Sequence, residues 1–205
     1  ALSAALVTSA CTVNPEAPEV TVTEPVFVAK FICDDADSAL KSLGTLTKVG
    51  DVILTANHVI SNCTEVPPAS VFKSEDLAIL VPGKMHNCRA PRVGEKVLFT
   101  GYPGSEPDGT TRRKLSQVVL EESLGRVIVN EIPFLFVLGI KGTIEIVSNH
   151  TRAEASFIRG GYSGGAVVSA DTGEFLGIIS TGSLKKSRMT FIPANIICQR
   201  MESLL

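Results

Sequence analysis

The sequence predicts an all-β protein with one late helix, and three observations carry that expectation. From Phe27 onward, short runs rich in Val, Ile, Thr and Phe are broken by Gly, Pro, Asn or Asp. Apolar residues fall at helical spacing in the C-terminal stretch Ala194 to Leu205 and nowhere else. The 205 residues are 44% hydrophobic and 20% charged, the balance of a folded chain with one large core or two modest ones.

The elements follow in order. Ala1 to Ala10 is small and apolar and runs into Cys11. It reads as a loosely ordered leader, because the basic start of a secretory signal is missing and Thr8 does not suit a lipobox. A chain that starts at Ala1 is expected to be a processed product or an excised fragment. Asn14 to Pro25, rich in Pro, Glu, Val and Thr, reads as an extended approach.

Strands are then expected at Phe27–Ile32, Thr45–Lys48, Val52–Thr55 and Leu77–Val81. The turn-rich stretch Pro82 to Gly94 separates these from a second set. That set comprises Lys96–Gly101, Leu115–Leu120, Arg126–Val129, Phe134–Leu138, Thr143–Val147, Ala166–Ser169, Phe175–Ser180 and Met189–Ile192. In the final stretch Ile196, Ile197, Met201, Leu204 and Leu205 share a face, and Pro193 suits a helix start. The expected organisation is a leader over 1–25, a first β unit over 26–88 and a second over 89–205 that includes the helix. Many short strands argue for barrels or a sandwich.

Composition excludes several functions. Nineteen Lys plus Arg against twenty-one Asp plus Glu give a net charge of −2, so nothing draws the chain to nucleic acid or anionic lipid. No apolar run reaches the roughly 20 residues that cross a bilayer. With no Trp and two Tyr, an aromatic platform for bases or sugars is not expected. Cys11, Cys33, Cys63, Cys88 and Cys198 show no CxxC and no metal-ligand spacing, so a structural zinc site is not expected. An odd number leaves at least one thiol outside any intramolecular bridge.

Three segments carry chemistry. In Leu54-Thr55-Ala56-Asn57-His58-Val59 a strand ends in a histidine. In Ser74-Glu75-Asp76-Leu77-Ala78-Ile79-Leu80 an aspartate opens an apolar strand. In Gly160-Gly161-Tyr162-Ser163-Gly164-Gly165-Ala166-Val167-Val168 a serine sits in a glycine turn leading into an apolar strand. A serine hydroxyl is a poor nucleophile until a base takes its proton. Histidine accepts that proton and returns it to a leaving amine, while a buried carboxylate holds the imidazole in the useful tautomer. Glycines let backbone N–H groups turn inward on the oxyanion that forms.

Gly161-Tyr162-Ser163-Gly164-Gly165 also satisfies the G-x-S-x-G elbow of α/β-hydrolases. That fold places its histidine after the serine and a helix after the elbow. Here His58, His86 and His150 all precede Ser163, and a strand pattern follows it. The esterase reading is excluded on chain order. A catalytically silent binding module stays open as the alternative to an enzyme.

From Phe27 to Cys198 the chain resembles the chymotrypsin-like serine proteases, most of all their HtrA-like and viral branches. Besides the three blocks, the resemblance includes Leu43-Gly44-Thr45-Leu46, Val97-Leu98-Phe99-Thr100-Gly101-Tyr102-Pro103-Gly104, Phe175-Leu176-Gly177-Ile178-Ile179-Ser180-Thr181-Gly182 and Met189-Thr190-Phe191-Ile192-Pro193. It implies two six-stranded antiparallel β-barrels meeting at a cleft, plus the short C-terminal helix. It also implies a serine endopeptidase that needs no metal or cofactor, with His58 as base, Asp76 as its orienter and Ser163 as nucleophile. The N–H groups of Gly161 and Ser163 would form the oxyanion hole. Ser180 and Gly182 would hold a polypeptide substrate as an added strand.

Departures from the family pattern qualify this. Seventeen residues separate His58 from Asp76, so a hairpin or loop of the first barrel is expected to be missing. Tyr162 precedes the nucleophile where zymogen-type members carry an aspartate that pairs with a freed amino terminus; activation by cleavage is not expected. Cys33 and Cys63 flank the His58 strand, where the family carries a bridge, but at other offsets, so a pairing is not expected from spacing alone. Phe157 is expected near the base of the primary pocket, with Thr181 and Thr190 on its walls, which favours a small or medium apolar residue over Lys or Arg. His150, Arg152, Lys185, Lys186 and Arg188 read as solvated charges, the alternative being recognition of an acidic or Gln residue. His86 and His150 read as surface or turn histidines. Two settings are implied: viral polyprotein processing in a host cell, or HtrA-like quality control in a secreted or periplasmic compartment. The absence of room for a PDZ module weighs against the second.

Overall fold

The computed structural model describes residues 23–34, 41–61, 63–64, 66, 70–106, 111–137, 144–155, 159–183 and 187–204. Residues 1–22 of the leader, Cys11 among them, and Phe157, Lys185 and Lys186 lie outside the described residues. In the first half, β1 (Val26–Asp34), β2 (Lys41–Val49), β3 (Val52–Ala56), β4 (Ser70–Phe72) and β5 (Leu77–Val81) form one antiparallel sheet in the order β1-β2-β3-β5-β4. In the second half, β6 (Lys96–Gly101), β7 (Glu121–Val137), β8 (Ile144–Ala155), β9 (Ala166–Ser169), β10 (Phe175–Ser183) and β11 (Arg188–Pro193) close into a six-stranded barrel, order β10-β11-β8-β7-β6-β9. Helix α2 (Ala194–Glu202) follows, and the single turn α1 (Asn57–Ile60) interrupts the first sheet.

The mostly β architecture with a closed second barrel and a late helix matches expectation. The first half does not: among the described residues it is a five-stranded sheet rather than a closed six-stranded barrel. Among the described residues of the short His58–Asp76 interval, three-residue β4 is the one strand. What closure would have covered is covered from outside. Leu54, Leu77 and Ile79 of the sheet pack in one core with Phe175, Ile178 and Ile192 of the barrel and Ile197 and Met201 of α2. A separate core fills the barrel, where Phe99 meets Phe191 edge to face at 6.2 Å.

Two strand expectations are corrected. Leu115–Leu120 is not a strand: Leu115–Gln117 forms a short 3-10 turn, because the Gln117 side chain accepts the Lys114 N–H at 3.2 Å and competes with ladder pairing. The run at Arg126–Val129 and the described part of the run at Phe134–Leu138 belong to one strand, β7, whose register shifts absorb Pro133. Its partner β8 runs on to Ala155, so His150 lies in a strand, 1% exposed, rather than at the surface or in a turn; His86 is exposed.

Two disulfides staple the chain. Cys33–Cys63, unexpected from its offsets, has its Cα atoms 5.6 Å apart. Cys88–Cys198 fastens α2 to the segment joining the two halves.

Candidate functional site

The site lies where the first sheet meets the barrel, and each side chain is placed by the end of a strand. β3 ends at Ala56 and turns at once into α1, which carries His58. The 3-10 turn Lys73–Glu75 ends in Asp76, whose φ of +56° and ψ of 32° put it in the left-handed region. Aspartate tolerates that region better than most residues, at a cost of about 1 kcal/mol or more. The conformation lets Asp76 answer α1 with both backbone and side chain. Asn57 N–H donates to Asp76 O at 2.7 Å, and His58 N–H to Asp76 Oδ1 at 3.0 Å. His58 Nδ1 meets Asp76 Oδ2 at 2.8 Å, with the imidazole 44% exposed and the carboxylate 6%.

The turn before β5 is held from behind. Glu75, 1% exposed, is paired with Arg200 of α2 and accepts the Ser74 hydroxyl. The Arg200 guanidinium also stacks over Phe72 at 5.6 Å.

Ser180 joins the halves. In the β10–β11 register Ile179 faces Phe191 and Thr181 faces Thr190, leaving Ser180 as the extra residue of a bulge. Its buried hydroxyl donates to Asp76 Oδ2 at 2.7 Å, and its carbonyl accepts the Ser163 hydroxyl at 3.2 Å. His58, Asp76, Ser180 and Ser163 thus form one hydrogen-bonded chain, with Ser163 pointed at Ser180 rather than bonded to His58.

The glycine turn around Ser163 is fixed carbonyl by carbonyl. The oxygens of Arg159, Gly160, Gly161, Tyr162, Ser163 and Gly164 accept in turn from Tyr162 N, Gly104 N, Thr45 Oγ1, Gly165 N, Thr45 N and Thr47 Oγ1, at 2.7 to 3.4 Å. Among the described hydrogen bonds, the N–H groups of Gly161 and Ser163 donate to no protein acceptor. Gly161 (φ +101°) and Gly164 (φ +82°) need their missing side chains: a Cβ would run into Tyr102 O at the first and Thr45 O at the second.

Beside this turn, residues 180–182 of β10 leave β9, whose pairing ends at Ile178, and keep only β11. Thr181 and Gly182 are exposed. Thr181 Oγ1 and Thr190 Oγ1 are 2.5 Å apart across the strands. Of the basic residues singled out from sequence, Arg188 is exposed and Arg152 half-buried. Among the described residues no group of three His, Cys, Asp or Glu could hold a metal ion.

Sequence reading did not find Thr45, Thr47, Arg159 or Glu121, nor the hydroxyl role of Ser180. Thr45 sits in a segment whose resemblance was visible, and that was its only signal.

No family model and no curated protein matches the sequence. The fold has relatives among solved structures. The Rv3671c protease of M. tuberculosis in its active form is similar at 18% identity and a TM-score of 0.67, over 98% of this chain and 93% of that one. The serine endoprotease of Yersinia pestis is similar at 23% and 0.55, over 87% of this chain and 61% of that one. The tobacco etch virus protease complexed with product is similar at 13% and 0.50, over 86% and 77%. The fold of this chain is that of the chymotrypsin-like serine proteases.

Proposed function

We propose that the chain is a serine endopeptidase. One observation carries this reading: a hydrogen-bonded His58–Asp76–Ser180–Ser163 chain stands beside a turn whose Gly161 and Ser163 N–H groups have no protein acceptor among the described hydrogen bonds. Rotation of Ser163 about χ1 frees its hydroxyl from Ser180 and turns it to His58 Nε2. His58 takes the proton as Oγ bonds to the scissile carbonyl carbon, and the former carbonyl oxygen becomes an oxyanion. The N–H groups of Gly161 and Ser163 receive that oxyanion; one such donor is worth roughly 3–4 kcal/mol in the transition state. Collapse breaks the C–N bond, the amine leaves with the proton from His58, and water repeats the sequence on the acyl-enzyme. Asp76 holds the imidazole tautomer throughout.

The polypeptide substrate adds as an extended strand along the open edge of residues 180–182. Thr181 and Thr190, paired across the strands, wall a primary pocket that takes a small or medium apolar residue. The greater extent of likeness to a bacterial protease than to a viral one favours a cellular setting over polyprotein processing. Cleavage of a peptide library, with Ser163→Ala as control, tests the reading. Cuts after small apolar residues that vanish in the variant support it, and cuts that persist in the variant overturn it.

A further inference from the structure

Behind the glycine turn lies an ion network that the proposed mechanism does not use. Arg159, four residues before Ser163, has a side chain only 3% exposed. Its Nη1 donates to Ser105 O at 2.7 Å and its Nη2 to Glu121 at the start of β7. The other oxygen of Glu121 accepts Arg113 Nη1 at 2.5 Å, and Arg113 Nη2 reaches Glu106 at 3.2 Å. Both arginines therefore hang on one carboxylate.

The network grips the backbone that faces the turn. Arg113 N–H donates to Gly104 O at 2.9 Å, Glu106 N–H to Thr111 O at 2.9 Å, and Ser105 bridges to Arg112. Gly104 N–H in turn holds the Gly160 carbonyl at 2.8 Å. A trans peptide is planar, with its C=O and N–H on opposite sides. Fixing Gly160 O therefore fixes the direction of Gly161 N–H, which has no protein acceptor among the described hydrogen bonds. Tyr162, 1% exposed, packs against the same charges; burial, reinforced by the Glu121 carboxylate, pushes its phenol up and keeps it neutral. No carboxylate at that position is available to pair with a freed amino terminus.

We infer that Glu121 is a positioning residue for catalysis. Through Arg159 and Arg113 it locks the Gly160–Gly161 peptide in the orientation that presents Gly161 N–H to the oxyanion. This rests on the endopeptidase reading above. Glu121 touches no reacting atom, so its loss acts on the transition state and leaves ground-state substrate binding in place.

The test compares wild type, Glu121→Gln and the double variant Glu121→Gln/Arg159→Met. The measurements are kcat, KM and the affinity for a peptide boronate that forms a tetrahedral adduct on Ser163. Both variants are expected to lose about 10- to 100-fold in kcat and a similar factor in boronate affinity, with KM changed less than about twofold. Glu121→Gln strands a buried guanidinium; should it fail to fold, the double variant, which buries no lone charge, carries the test. A folded variant with wild-type kcat and boronate affinity overturns the inference, as does a kcat loss matched by an equal weakening in KM. Wild type that neither cleaves peptide nor binds the boronate overturns the endopeptidase reading and this inference with it; active wild type with unchanged variants overturns this inference alone.

Discussion

The hydroxyl of Ser180 and the imidazole of His58 share one oxygen, Asp76 Oδ2, at 2.7 and 2.8 Å. Ser180 lies 104 residues beyond Asp76 and comes from the barrel, so the carboxylate from the first sheet is oriented by the second half of the chain. A hydrogen bond to a charged group contributes about 1.5–3 kcal/mol. Ser180→Ala is expected to lower kcat/KM by about 10- to 100-fold. Steady-state kinetics checks this, and a loss of less than about twofold would show that His58 and α1 hold Asp76 unaided.

Thr45 bonds to the glycine turn around Ser163 twice, through its hydroxyl to Gly161 O at 2.8 Å and its N–H to Ser163 O at 2.9 Å, and its hydroxyl also accepts Tyr102 N–H at 3.1 Å. Thr45→Val keeps the shape and leaves Gly161 O and Tyr102 N–H unpartnered. The expected cost is about 1–3 kcal/mol of stability, read from the urea midpoint at unchanged slope. An unmoved midpoint contradicts it.

The two disulfides differ in span. Cys88–Cys198 is separated by 110 residues and Cys33–Cys63 by 30. Chain entropy alone assigns them about 4.8 and about 3.6 kcal/mol. Replacing Cys88 and Cys198 by serine should therefore lower the unfolding free energy more than replacing Cys33 and Cys63. The reverse order would show that the bridge beside His58 carries more than loop closure.

Acid stability is set in part by the segment joining the halves. Arg89 grips Glu95 through Nη1 at 3.0 Å and Nη2 at 2.5 Å, and Glu174 through Nε at 2.5 Å. Burial pushes the Glu95 carboxyl up, but the Arg89 guanidinium and the Arg92 N–H outweigh it and hold the carboxyl below its ordinary value of 4.5. A carboxyl lowered in the folded chain contributes stability that is complete above that ordinary value and lost as pH falls through the lowered one. Unfolding free energy should thus decline as pH drops below 4.5, and less steeply in Glu95→Gln. Equal slopes in the two proteins would remove Glu95 as a cause.

The parts of the site legible in the sequence are those whose chemistry demands a residue type at a strand end: His58 after β3, Asp76 before β5, Ser163 in glycines before β9. The bracing was not legible, because its meaning depends on distant partners. Thr45 meets Gly161 across 116 residues, Arg159 meets Glu121 across 38, and Cys88 meets Cys198 across 110. The first sheet was half legible: the short interval after His58 announced a shortened first half, but not that α2 and β10 would pack on the core of the sheet. Merging of two runs into β7 escaped because Asn130 and Pro133 read as breakers, while bulges let the strand pass through them.

In the proposed endopeptidase, His58 activates Ser163. Incubation of the folded protein with a fluorophosphonate, followed by intact-mass and peptide mass spectrometry, tests it most directly. One adduct per chain is expected, on Ser163, lost in His58→Ala. A wild-type protein that takes no adduct at Ser163, or a His58→Ala variant labelled as fast as wild type, would contradict it.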